Sequence, residues 1–127
     1  MIDDYLALIP AAGVGARAQL STAKQFLKIG EKTILEHAID PFIKDENCKK
    51  ICVVTNEDDD LWPSLGISDH EKITSCFGGS TRMNSVLAGL ELLIDLEDKS
   101  SLVAIHDAAR PCLQIEDLKT LMEYADE

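Results

Sequence analysis

Positive charge is scarce in this chain relative to negative charge. Its 127 residues carry 12 Lys and Arg against 23 Asp and Glu, a formal net charge of -11. Phosphodiester backbones and anionic lipid repel such a surface, which makes nucleic acid and membranes poor partners. Local charge can differ from net charge, so an anionic small ligand stays open. No apolar run is long enough to span a bilayer. The N-terminus, MIDDY, lacks the basic stretch that opens a secretory signal. Four cysteines, Cys48, Cys52, Cys76 and Cys112, form no CxxC pair. They read as free thiols and small buried hydrophobes, not as a zinc site or disulfide framework. A reducing, cytoplasmic location is the default expectation. Neither GxxxxGK[ST] nor HExxH occurs, and nothing suggests a Ser-His-Asp triad, so Walker-type ATPase and zinc hydrolase chemistry lose ground. Internal repeats and low-complexity linkers are absent too.

What the chain does have is 46% hydrophobic content, enough for one core but not clearly for two. Short apolar runs alternate with helical periodicity. Tyr5–Ile9 (YLALI), Lys50–Thr55 (KICVVT), Lys72–Cys76 and Ser101–His106 (SLVAIH) read as strands. Residues 29–32 read as a turn. Thr33 and Glu36 then have capping-box spacing, and apolar positions from Ile34 to Ile43 predict a helix that Pro41 should kink or shorten. Leu61–Ile67 reads as a short helical piece broken by Pro63 and Gly66. Met83, Val86, Leu87, Leu90, Leu93 and Ile94 predict one buried helical face, and Asp117–Ala125 a final amphipathic helix. Nearly all-apolar strands alternating with helices predict an open α/β sheet, mostly parallel and covered on both faces.

Three small-residue loops follow strands and should gather at one edge of that sheet. In the first, Gly13, Gly15 and Ala18 formally match GxGxx[G/A], but no second strand ends in an acid at the distance a dinucleotide fold needs. What remains is bare backbone at Ala11, Ala12, Gly13 and Gly15, whose N–H groups can approach a phosphate or a base edge. Arg17 and Lys24 can close over a triphosphate, or be solvated surface cations. The second loop, Gly78-Gly79-Ser80-Thr81-Arg82, opens the most regular helix, with Ser80 or Thr81 as its cap and Ser85 one turn in. In the third, Asp107 stands at a strand's carboxyl end and is a candidate magnesium ligand or a turn former. His106 reads as a packed histidine, and His37 and His70 as surface or packing residues. The acidic run at residues 57–60 reads as a solvated loop.

PAAGVGAR, then KQFL from Lys24, ILEHAI, GGSTRMNSVLAGL and HDAARP occur in this order. Together they closely resemble the 2-C-methyl-D-erythritol 4-phosphate cytidylyltransferase family of non-mevalonate isoprenoid biosynthesis, across essentially the whole chain. PAAGxGxR with a lysine seven residues on marks the wider nucleotidyltransferase class, while HDAARP with GGxxRxxSV narrows it. The resemblance implies a Rossmann-like, three-layer fold of the nucleotide-diphospho-sugar transferase type. It also implies transfer of CMP from CTP to 2-C-methyl-D-erythritol 4-phosphate with release of pyrophosphate. By motif position it assigns Arg17 and Lys24 to the triphosphate, as the catalytic pair, and Ala11, Ala12, Gly13 and Gly15 to the nucleotide loop. Gly79, Ser80 and Ser85 go to the cytosine and ribose, Arg82 to bracing this region, Asp107 to Mg2+, and Ala108 to the ribose.

One departure is Ser80-Thr81, where many members carry acidic residues, so the Arg82 brace is expected to be looser or differently built. Another is length. The family continues for roughly as many residues again, including acceptor contacts, a second magnesium aspartate, a further lysine and a dimerising arm. Residues 1–127 are therefore expected to be the N-terminal CTP-binding portion of a homodimeric parent enzyme, inactive alone. The alternatives are another pentitol- or sugar-phosphate nucleotidyltransferase, such as a ribitol-5-phosphate cytidylyltransferase, or a nucleotide-binding module without catalysis. A flavodoxin-like signalling domain fits poorly, because it does not need two cations in a Gly/Ala loop.

Overall fold

The computed structural model describes residues 4–12, 27–56, 61–79, 81–96, 102–106 and 115–125. In chain order these form β1 (Tyr5–Pro10), β2 (Lys28–Ile29), β3 (Lys32–Thr33), α1 (Ile34–Lys44), β4 (Cys48–Thr55), two 3-10 turns (Trp62–Ser64 and Gly66–Asp69), β5 (Ile73–Phe77), α2 (Arg82–Leu96), β6 (Leu102–Ile105) and α3 (Ile115–Ala125). Four strands make one sheet in the order β5-β4-β1-β6. Every pairing in it is parallel, as the unbroken apolar runs predict. Residues 29–32 do make a turn, and it closes a two-stranded antiparallel ribbon of β2 and β3, with Gly30 supplying a φ of 71°.

Alternation along β1 builds three layers. Tyr5, Ala7 and Ile9 face one side and pack with Leu35, Ile39 and Phe42 of α1 and Leu118 of α3. Leu6 and Leu8 face the other side and pack with Leu93 of α2. The central strand is thus buried on both faces, which is where hydrophobic burial contributes most.

Helix α1 starts as its sequence predicts. The Thr33 hydroxyl accepts from Glu36 N at 3.1 Å, and the Glu36 carboxylate accepts from Thr33 N at 3.0 Å. Pro41 does not end the helix, which runs on to Lys44. Proline there removes one donor near the last turn, and the Pro41 carbonyl still accepts from Asp45 N at 3.1 Å. Pro63 likewise sits inside the first 3-10 turn instead of breaking it, because a proline tolerates the opening of a helical turn.

Strand β4 starts at Cys48, before the predicted Lys50. Tyr5 pairs with Cys48 and Leu6 with Lys50, a register shift that leaves Lys49 extra. A bulge of this kind reverses the alternation. Cys48 therefore joins the α1 side of the core and Cys52 the α2 side.

The predicted inward face of α2 needs correction. Leu93 is buried and Val86 and Leu90 are partly so, but Met83, Leu87 and Ile94 are 79%, 54% and 46% exposed. The helix turns its small residues to the sheet instead. A Cβ on Gly89 would meet Leu8 Cδ1 at 2.7 Å and Val54 Cγ2 at 2.9 Å. Close approach at Ser85 and Gly89 sets the helix's rotation, and the larger residues are left on its flank. Strand β6 is also more exposed than a buried strand, at Leu102 and Ile105, because it pairs only with β1 among the described residues.

Opposite the loops, the sheet's N-terminal edge is closed by polar groups. The Tyr5 hydroxyl donates to Asp45 Oδ2 at 2.8 Å, and Asn47 N donates to Asp45 Oδ1 at 3.1 Å. Lys72 Nζ donates to the carbonyls of Ile43 and Asp45, both at 2.9 Å, and so satisfies the open end of α1.

Candidate functional site

Because the four main strands are parallel, their carboxyl ends share one edge. The chain leaves β1 for β4 on one side, while β6 lies on the other. The β1/β6 boundary is therefore a topological switch point, where open α/β sheets bind ligands. The loop after β5 stands two strands from β1. At a strand spacing of about 4.8 Å, the three loop origins span roughly 14 Å, about the reach of a nucleoside with its phosphates.

In the first loop, Ala11 N donates to the Val54 carbonyl at 2.7 Å, so this N–H extends the sheet. Ala11 and Ala12 are 1% and 9% exposed, and the Ala11 methyl belongs to the core. Gly13, Gly15, Ala18, Arg17 and Lys24 lie outside the described residues. The Leu27 carbonyl accepts from Ile34 N at 2.8 Å. The His37 ring nitrogen Nε2 donates to the Ile29 carbonyl at 2.9 Å. The β2–β3 ribbon is thus moored to α1 just beyond the loop.

The second loop is the best defined. Gly78 N donates to the Thr55 carbonyl at 2.8 Å, tying the loop to the end of β4. Thr81 is the helix cap: its hydroxyl accepts from Asn84 N at 3.1 Å, and its carbonyl from Ser85 N at 3.0 Å. That gives the departure from acidic residues a physical reading, since threonine and aspartate both serve as N-caps. Gly79 and Arg82 are exposed, with Arg82 opening α2. Ser85 is 2% exposed and lies directly beneath Gly78. Its hydroxyl backs the loop from inside the fold. Ser80 lies outside the described residues. Sequence reasoning passed over Asn84, which packs against Gly79; nothing in a lone Asn on a helix signals that contact.

In the third loop, His106 N donates to the Leu8 carbonyl at 3.0 Å, which places the end of β6 beside β1. The His106 ring lies 5.7 Å from that of Phe42, in keeping with a packed histidine. Asp107 and Ala108 lie outside the described residues, as do residues 57–60 and Cys112. His70 Nδ1 accepts from Lys72 N at 3.1 Å, a local turn contact. Burial pushes the Cys48 thiol up to about 12 and raises those of Cys52 and Cys76. Thiols held protonated are poor nucleophiles. The hydroxyls described at this edge serve the loop, Thr81 as the helix cap and Ser85 beneath Gly78. The arrangement offers backbone polar groups, a capped helix N-terminus and an arginine, which suit binding a phosphorylated, polar ligand.

A family model described as 2-C-methyl-D-erythritol 4-phosphate cytidylyltransferase, IspD, matches residues 5–127. The chain belongs to the IspD family. The cytidylyltransferase of this name from Actinobacillus pleuropneumoniae serotype 5b is 43% identical over 126 residues, covering 99% of this chain and 54% of the relative. The solved structure of a 4-diphosphocytidyl-2C-methyl-D-erythritol synthase superposes with a TM-score of 0.81 at 31% identity, covering 98% of this chain and 55% of that one. The Francisella tularensis IspD structure gives 0.76 at 36% identity, covering 96% and 52%. The IspD-like fold is thus shared over nearly all of this chain. The chain spans about half the length of the curated relatives it matches.

Proposed function

We infer that this IspD-family chain forms the CTP-binding portion of a 2-C-methyl-D-erythritol 4-phosphate cytidylyltransferase. The observation that carries the reading is the glycine-pair loop held on the capped start of α2, at the same edge as the ends of β1 and β6. Backbone groups at Gly78 and Gly79 suit the polar edge of a pyrimidine, which a purine is too large to match. Arg17 and Lys24 would grip the triphosphate. Asp107, just past β6, would hold Mg2+, which supplies charge neutralisation at the phosphates when bound.

In the reaction, a phosphate oxygen of the methylerythritol phosphate attacks the α-phosphorus of CTP. A new P–O bond forms as the bond to the β-phosphate bridging oxygen breaks. Pyrophosphate leaves with that electron pair. No covalent enzyme intermediate is needed, so positioning and electrostatics carry the catalysis. Arg17 and Lys24 would meet charge that grows on the phosphates. Acceptor binding, pairing into a homodimer and a cytoplasmic setting belong to the same reading.

Calorimetry with the chain, comparing CTP-magnesium with ATP-magnesium, tests the nucleotide half. Clear preference for CTP is expected, and equal affinity would remove the cytidylyl reading. A pyrophosphate-release assay on this chain, beside a version extended to the relatives' length, tests the transfer. Turnover is expected from the extended protein alone. There Lys24→Ala should lower the rate about 10²–10³-fold, as losing a transition-state contact does. Unchanged turnover would return Lys24 to the solvated surface.

A further inference from the structure

The glycine pair lacks side chains, and the first turn of α2 supplies two in their place. A Cβ on Gly78 would overlap Ser85 Oγ, and one on Gly79 would lie 2.5 Å from Asn84 Cβ and 3.2 Å from Asn84 Nδ2. Ser85 is buried and Asn84 exposed, so the two hold the loop from inside and from the solvent side. Three further bonds fix the frame around them: Gly78 N to the Thr55 carbonyl at 2.8 Å, Asn84 N to Thr81 Oγ1 at 3.1 Å, and Ser85 N to the Thr81 carbonyl at 3.0 Å. The loop therefore folds back over the helix start with one surface occupied. At Gly78 and Gly79 its other surface carries only main chain.

We propose that Asn84 is a positioning residue for base recognition: its side chain sets the height of the Gly79 main chain over the helix start, and with it the register in which that main chain meets a pyrimidine edge. The inference rests on the nucleotide reading above. Cytosine and uracil differ only in the donor and acceptor at adjacent ring positions. A main chain that tells them apart must be held to within a fraction of a hydrogen-bond length. Truncating Asn84 to alanine keeps its Cβ but removes the Cγ and Nδ2 that flank Gly79, and the loop can settle toward the space they leave. The triphosphate contacts lie on another loop and should not feel the change. Alanine is also a better helix former than asparagine, so the fold should persist.

The test is calorimetry on this chain with CTP, UTP and inorganic tripolyphosphate, each with magnesium, for wild type, Asn84→Ala and Asn84→Asp. Thermal melts run in parallel to count folded protein. Asn84→Ala should bind CTP about five- to tenfold more weakly, the scale of one or two displaced hydrogen bonds. Its CTP-to-UTP ratio should fall toward one, while tripolyphosphate affinity stays unchanged. Asn84→Asp keeps the shape beneath Gly79 and should retain the ratio within about twofold of wild type. An Asn84→Ala protein that keeps both affinity and ratio overturns the inference. So does one that loses tripolyphosphate binding in step with CTP, because the side chain would then serve only helix stability. A wild-type chain that binds CTP no better than ATP overturns the nucleotide reading, and this inference with it.

Discussion

Gly78→Ala should damage the fold and the site together, and the geometry gives a scale for both. The new methyl would overlap Ser85 Oγ and lie 2.9 Å from Ser85 Cβ and from Val54 Cγ1. Ser85 is 2% exposed and Val54 fully buried, so neither can step aside. Restoring the two 2.9 Å contacts to an ordinary 3.4 Å moves the loop by at least 0.5 Å, and relieving the hydroxyl takes more. The 2.8 Å bond from Gly78 N to Thr55 O stretches out of range at such a shift. Overpacking costs about 1–3 kcal/mol and a lost hydrogen bond about 1 kcal/mol. The stiffer unfolded chain offsets roughly 0.4–1 kcal/mol. The net loss is about 1–3 kcal/mol, or roughly 4–12 °C in Tm for a chain of this size. On the nucleotide reading, CTP affinity should fall at least about tenfold, since two base contacts displaced this far would be lost. Gly66→Ala is the control: a Cβ there meets nothing within 4 Å, and its stability should stay level or rise slightly. Urea titrations of both variants, with calorimetry on CTP-magnesium, give the readout. If Gly78→Ala matched wild type within about 0.5 kcal/mol, the packing of Ser85 beneath the loop would be wrong.

Tyr5→Phe removes the 2.8 Å donor to the fully buried Asp45 and should cost about 2 kcal/mol, the scale of a hydrogen bond to a charged group; a urea midpoint unchanged from wild type would show that the pair adds nothing. Alkaline pH should unfold the chain. Burial raises the thiols of Cys48, Cys52 and Cys76, and burial followed by the Asp45 bond raises the Tyr5 phenol. In each case the folded state holds its proton more tightly than the unfolded one. The stability is therefore complete below about pH 8.5 and is lost as pH climbs toward the Cys48 value of about 12. Stability should therefore fall steadily above roughly pH 9, and Cys48→Ala should make the fall shallower; equal urea midpoints at pH 8 and pH 11 would contradict this. The exposed Met83, Leu87, Ile94, Leu102 and Ile105 should drive concentration-dependent self-association, visible by light scattering and reduced in Leu87→Glu and Ile105→Lys; a monomer at every concentration would refute it.

Elements governed by neighbours in sequence were the legible ones. Thr33 and Glu36 announce the start of α1 because a capping box is entirely local. The apolar runs announce parallel strands because a strand buried on both faces has no room for polar alternation. What escaped depends on partners far along the chain. Helix α2 carries more apolar residues than its sheet-facing side can use. Periodicity finds the helix but does not choose among the faces of so wide an arc, and Gly89 against Leu8 decides the matter from 81 positions away. The bulge at Lys49 is set by pairing with Tyr5. Tyr5, Asp45 and Lys72 lie in three separate segments, and no spacing rule links them.

The same distinction explains the candidate site. Its glycine and alanine motifs stand out in sequence because a side chain is missing where one is expected, and motif order carries that signal. The residues that give the bare main chain its shape are ordinary: Val54, Thr81, Asn84 and Ser85 would fit any helix start or strand end. At the N-terminal edge of the sheet, side chains lock the structure through a buried carboxylate and a lysine on carbonyl groups. At the C-terminal edge, Ser85 and Asn84 lie beneath Gly78 and Gly79 and leave their main chain facing outward. A polar ligand met by main chain can be told from its analogues only if that main chain does not move. On the nucleotide reading, specificity there would depend on packing one layer below the contact, so substitutions at Gly78 and Asn84 should change ligand choice without touching the ligand.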